Sequence, residues 1–222
     1  MPIAFRHRRD ASPFKPPLLG MTVHRELNPD VMARLQGRTR EEIDNRFAGG
    51  HRAYIASIDG APAAWGWVAT TAATIGELKA SFVVPQADRY LWNFVTLAAY
   101  RGRGIYPRLL DAIVDAESVD GERFWIAYAP ENHASGIGIQ KAGFALVAEL
   151  SFDLAGRPVV RDIRPEGGRA ASRLLGLPLI TEAVAQCWRC ARSSAPSASS
   201  CAGGVCSCDY QRAEQPCTLE TV

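Results

Sequence analysis

In the run RGRGIYP, Arg101 to Pro107, two glycines alternate with two arginines directly before RLLDAIVDA, whose apolar residues return at helical spacing. A chain entering a helix through such a turn presents backbone N–H groups that no intrahelical carbonyl can satisfy, and the helix dipole adds positive character there. Gly102 and Gly104 allow an anion close to the backbone, and the guanidinium groups of Arg101 and Arg103 offer forked donors to phosphate oxygens. The chemistry is that of holding a phosphate or pyrophosphate at a helix N-terminus. By itself the run also fits a tight turn with solvated arginines; its place after a buried strand favours the anion site. No GxxxxGK precedes a Ser or Thr, and no GxGxxG is followed by an acid closing a second strand, so nucleotide hydrolysis and hydride transfer recede.

A second constellation, NHASGIGIQKAGF, lies downstream, with Asn132 as a capping-type residue, Lys141 in the last helical turn and Gly143 as terminator. Gly136 and Gly138 inside this predicted helix each cost about 1 kcal/mol relative to alanine.

The elements that must position these residues are legible in the pattern. YLWNFVTLAA and ERFWIAYA are apolar on both faces, which predicts central buried strands flanking a helix striped by Ile105, Leu109, Leu110, Ile113 and Val114. Upstream, VMARLQGRTREEIDNRF predicts amphipathic helix broken near Gly37. AYIASIDGAPAAWGWVAT predicts a hairpin, strands 53–58 and 62–70, turning at Asp59-Gly60. Trp65 and Trp67 alternate as core residues do, with the lining of an apolar acceptor pocket as the second reading. A late strand, ALVAELSFDL, and a C-terminal helix over 165–186 follow.

At this point the chain resembles the GNAT superfamily of N-acetyltransferases. Their signature after the fourth strand is Gln or Arg, two residues, Gly, one residue, then Gly or Ala. Arg101 and Gly104 match it, and Tyr106 departs from its final small residue. NHASGIGIQKAGF resembles the family's NxxSxxxxxKxGF in Asn132, Ser135, Lys141, Gly143 and Phe144. The resemblance covers about residues 22–155. It implies an α/β fold, a mixed sheet with helices on both faces, and acetyl-CoA as cosubstrate between two parting strands. It further implies that backbone groups of Phe94, Val95 and Thr96 pair with the pantetheine. Arg101, Gly102, Arg103, Gly104, Ile105 and Tyr106 would hold the pyrophosphate, with Asn132 and Ser135 along the same cofactor.

Acyl transfer to an amine needs a neutral nucleophile, donors for the developing oxyanion and a tolerable leaving group. A backbone N–H near Val95 or Thr96 suits the oxyanion. Glu77 and Asp88 are the base candidates and His133 a weaker one, with a solvated surface charge as the favoured reading of each. Many members of the family place a tyrosine acid seven positions after the helix asparagine; here that position is Ile139, leaving Tyr106 and Tyr128 as substitutes. A thiol of pKa about 8.5 leaves adequately as thiolate, so acid assistance matters less than for an alkoxide.

All six cysteines follow residue 186. Cys187, Cys190, Cys206 and Cys208 could form a four-thiolate site for zinc or copper(I), against the alternative of an unstructured tail with reactive thiols. The 222 residues are 47% hydrophobic and carry a net charge of +2 from 25 basic and 23 acidic side chains. That balance argues against a nucleic-acid partner, and the lack of a long apolar run argues against a membrane one. The expectation is a cytoplasmic monomer or homodimer. It would comprise a basic disordered arm over 1–20, an acetyltransferase domain over 21–164, a C-terminal helix over 165–186 and a cysteine-rich tail over 187–222. The function expected is acetyl transfer to a small-molecule or peptide amine. The alternatives are a degenerate acyltransferase fold sensing metal or thiols through the tail, and a longer-chain N-acyltransferase.

Overall fold

The computed structural model describes residues 1–180 apart from 14, 79 and 154–156. Its strands are β1 (Pro2–His7), β2 (Met21–Glu26), β3 (His51–Ile58), β4 (Ala61–Ala69), β5 (Ala72–Ile75), β6 (Ala80–Val83), β7 (Asp88–Thr96), β8 (Arg123–Ala127), β9 (Ala145–Phe152), β10 (Pro158–Asp162) and β11 (Leu179–Ile180). Its helices are α1 (Pro29–Gln36), α2 (Arg40–Ala48), α3 (Ile105–Glu117), α4 (His133–Lys141) and α5 (Pro165–Leu175). Nine strands form one mixed sheet in the order β11-β10-β9-β1-β8-β7-β4-β3-β2, and β5 and β6 form a separate hairpin.

Alternation along the strands, broken in β7 at Asn93, sends side chains to the two faces of the sheet. Ala64 and Val68 of β4, Leu91 and Phe94 of β7, and Phe124 and Ile126 of β8 pack with α3 and α4. On the opposite face, Trp65 and Trp67 pack with α1 and α2, while Tyr90 and Trp125 join α5 and the β5–β6 hairpin. The α/β class and the helices on both faces are as expected, and both tryptophans of β4 are core, Trp67 completely buried.

Local signals worked where the cause is local. Gly37 ends α1 in the left-handed region and Thr39 starts α2 with a reciprocal capping box to Glu42. Asp59 and Gly60 both take positive φ, as a two-residue hairpin turn requires.

Two expectations need correction. Residues 1–20 are not a disordered arm: β1 is an interior strand, antiparallel to β8 on one side and β9 on the other. Its positive charge is neutralised from a distance in sequence. Buried Arg6 donates to Asp111 of α3 and to the Ala142 carbonyl, and Lys15 pairs with the same Asp111. The C-terminal helix is shorter than 165–186: it ends at Leu175, Gly176 turns the chain at φ 64°, and the chain returns as β11 parallel to β10.

The far end of α3 is tied down by a buried carboxylate. Glu117, 2% exposed, accepts from Tyr54 Oη at 2.6 Å, Arg89 Nε at 2.9 Å and Arg52 at 2.6 Å, joining the helix to β3 and β7. Burial, and then the hydrogen bond to Glu117, push the Tyr54 phenol upward. Glu117→Ala leaves two guanidinium groups without their carboxylate and is expected to cost about 3–5 kcal/mol in urea-unfolding measurements.

Candidate functional site

Strands β7 and β8 run parallel and pair from Asp88–Arg123 to Leu91–Ile126, and the pairing stops there. Beyond it β7 continues to Thr96 while still bonded to β4 on its other side. The divergence has a local cause. Asn93 takes φ 52°, and the register against β4 shifts between Trp65 and Trp67, the signature of a bulge that bends the strand. Gly66 lies opposite, and a Cβ there would sit 2.0 Å from the Phe94 ring, so only glycine lets that ring lie across β4. Over Trp92–Thr96 the edge of β7 facing away from β4 is thus left unpaired by β8.

The glycine-arginine turn closes this end of the strand. Gly102 and Gly104 adopt φ 77° and 72°, and Gly104 begins α3 with no side chain capping its first turn. The orphan N–H groups of that turn are therefore open to a ligand. Arg101 donates to the Thr96 carbonyl at 3.1 Å, and Arg103 lies over the Tyr100 ring. Arg108 braces the turn through the Gly104 carbonyl at 2.9 Å and the Pro16 carbonyl at 2.6 Å.

Tyr106 points across the wedge toward α4. Its ring lies 5.6 Å from that of Phe94, and its hydroxyl is 3.3 Å from Ser135 Oγ. A Cβ on Gly138 would come within 2.4 Å of the ring, and one on Gly136 within 2.9 Å of the Tyr128 ring. The two glycines that weaken α4 are notches that seat two tyrosines. Burial pushes the Tyr106 phenol up to about 12, with Ser135 working the other way. Burial, reinforced by Glu149, also raises that of Tyr128. Asn132 caps α4 by accepting from the Ser135 N–H at 3.0 Å, and exposed His133 follows it.

The structure thus brings Phe94, Val95, Thr96, Arg101–Tyr106, Asn132, Ser135 and Tyr128 to the end of the sheet where β7 and β8 part. Asp88 is not among them. It begins β7 at the opposite end, 2% exposed, and accepts from Arg123 Nε at 2.6 Å and Trp125 Nε1 at 2.9 Å. A carboxylate so committed is a structural anchor, and the parallel neighbour that claims it is invisible in the loop sequence around it. Glu77 lies in the short turn Gly76–Leu78 between β5 and β6; its side chain lies outside the described residues. Ile139 is 1% exposed, a core residue between α3 and α4. Cys187, Cys190, Cys206 and Cys208 lie outside the described residues. Among the described residues no His, Cys, Asp and Glu cluster suited to a metal occurs, and no described helix is long and apolar enough to cross a membrane.

Sequence reasoning missed the bulge at Asn93 and the packing role of three glycines. A glycine inside a predicted strand or helix was the available signal, since it often marks close approach of another group.

No family model matches the chain, and no curated protein does. The solved structures it resembles include GNAT acetyltransferases. A GCN5-related N-acetyltransferase from Kribbella flavida has 14% identity and a TM-score of 0.41, over 65% of this chain and 53% of that one. The present chain therefore spans about half the length of that protein. The ribosomal-protein-S18-alanine N-acetyltransferase from Escherichia coli has 15% identity and a TM-score of 0.46, over 60% and 83% of the two chains. An aminoglycoside antibiotic 6′-N-acetyltransferase from Acinetobacter baumannii has 15% identity and a TM-score of 0.42, over 57% and 91%.

The notch geometry sets a sign reversal. Gly138→Ala gains about 1 kcal/mol of helix propensity but crowds Tyr106 at a cost of about 1–3 kcal/mol. It is expected to destabilise the native protein and to stabilise a Tyr106→Ala background by about 1 kcal/mol, measured by urea unfolding of the four proteins.

Proposed function

We propose that the protein is an acetyl-CoA-dependent N-acetyltransferase of the GNAT superfamily, acting on an amine of a small molecule or peptide. The observation that carries this reading is the unpaired edge of β7 ending beside an uncapped helix that opens on a left-handed glycine. An extended amide-bearing chain can pair with a strand edge, and a pyrophosphate can sit at a helix N-terminus. One motif of the family falls on the turn into α3 and the second on α4, across the wedge from it.

The residues fit such a cosubstrate. Gly102 has nothing within 4 Å of a notional Cβ, so the turn is open on that side, and Arg101 and Arg103 stand exposed beside it. The cosubstrate supplies an activated acyl group. The protein aligns it by backbone pairing along β7, whose N–H groups are fixed before reaction and can stabilise charge on the carbonyl oxygen. The amine nitrogen forms a bond to the acyl carbon as the carbon–sulfur bond breaks; the nitrogen loses one proton and the sulfur gains one. Tyr128, kept protonated by its surroundings, is the proton donor this reading favours, and water at the open end of the wedge takes the proton from nitrogen.

Acetyl-CoA is expected to raise the melting temperature of the protein. Gly104→Glu, which places a carboxylate and a strained left-handed side chain at the turn, is expected to abolish that shift. An unchanged melting temperature for the native chain at millimolar acetyl-CoA would overturn the reading.

A further inference from the structure

On the sheet face covered by α1 and α2, Trp92 is the first residue of β7 beyond its last pairing with β8, so it stands at the apex of the wedge. A cluster of donors is built around it. The Arg46 guanidinium lies 4.8 Å from the centroid of the Trp92 ring and 5.1 Å from that of Trp67. Among the described residues it makes one hydrogen bond, 3.0 Å to Gln36 Oε1, which also accepts from Trp67 Nε1 at 3.4 Å. Trp92 Nε1 donates to His51 Nδ1 at 3.2 Å, which leaves the remaining proton of a neutral His51 on Nε2.

Among the described residues no carboxylate pairs with Arg46. Two acids of its own helix bond elsewhere, Glu42 to Arg38 and the Thr39 cap and Asp44 to Arg40; Glu42 acts on Arg46 only through space, and exposed Glu41 forms no ion pair with it among the described residues. Burial draws the Arg46 guanidinium down to about 10, and burial followed by Arg46 lowers His51, which favours its neutral form. The Gln36 amide nitrogen is buried and has no partner among the described residues. The spare hydrogen-bonding capacity here is thus of one kind, donors from Arg46, Gln36 and His51, around a half-buried positive charge. An unneutralised charge in such surroundings is costly, and the fork of a guanidinium matches a carboxylate.

We propose that Arg46, with Gln36 and His51, forms a subsite for the carboxylate of the acceptor, so that the substrates are carboxylate-bearing amines such as free amino acids. This rests on the acetyl-transfer reading for its catalytic consequence, and not for the binding itself. The half-buried Trp92 ring offers an apolar surface for a side chain beside that carboxylate, with fully buried Trp67 backing Arg46 from the core.

Phenylalanine and phenethylamine differ only in the carboxylate. With acetyl-CoA, kcat/KM is expected to be at least about tenfold higher for phenylalanine, carried by KM, because truncating one partner of a desolvated charge pair typically costs more than a tenfold change in affinity. Arg46→Met keeps the packed stem and should bring the ratio to about one, and Arg46→Lys should restore part of it. Independently of catalysis, phenylalanine should change the intrinsic tryptophan fluorescence saturably in the native protein, and phenethylamine or the Arg46→Met protein should show no such change. If that fluorescence response appears without transfer to either amine, the subsite stands and the acetyl-transfer reading falls. Equal use of both amines, a preference that survives Arg46→Met, or no fluorescence response would overturn the subsite.

Discussion

The parallel pairing of β7 with β8 runs from Asp88–Arg123 to Leu91–Ile126 and then ends while β7 stays bonded to β4. Unpaired backbone N–H and C=O groups in the middle of a sheet are expensive unless something else satisfies them. This constraint orders the rest of the architecture. A left-handed Asn93 bends the strand, Gly66 admits the Phe94 ring across β4, and the glycine-arginine turn brings the start of α3 to the end of the exposed edge. At the other end the same two strands are locked: Asp88 bonds to Arg123 and Trp125, and Glu117 gathers Arg52, Tyr54 and Arg89 around the end of α3. One end of the strand pair is closed by ion pairs so that the other can stay open.

Across the wedge, α3 and α4 meet through side chains that a small residue must accommodate. Tyr106 occupies a position that is usually small in the family the motifs resemble. Its ring leaves the turn's backbone free by leaning onto Gly138, beside Ser135 and Phe94. The unusual tyrosine and the unusual helix glycine are two halves of one packing arrangement. That accounts for the two glycines in α4, which helix propensity alone counts only as a cost.

Much of the molecule is written locally. The hairpin at Asp59-Gly60, the break at Gly37, the capping box at Thr39, the asparagine cap of α4 and the apolar stripe of α3 each depend on neighbours within a few residues, and each is found where the pattern places it. The glycine-rich entry into α3 was legible for the same reason. The role of residues 1–20 was not. The apolar run Ile3, Ala4 and Phe5 is short and basic residues follow it directly, and the acid that neutralises Arg6 and Lys15 is Asp111, distant in sequence. Asp88 misled in the opposite direction, an acid after a proline-containing loop that β8 buries.

The sequence by itself determined most of the backbone segments that become strands and helices and the glycine-rich turn that opens α3, because those properties follow from periodicity, capping and glycine's access to positive φ. Only the tertiary structure decided which charged and aromatic side chains share a site. Strand order placed β1 between β8 and β9, the bulge at Asn93 opened the wedge, and the packing of α2 on β4 and β7 set Arg46 over Trp67 and Trp92. These are contacts between residues far apart along the chain, and no local preference encodes them.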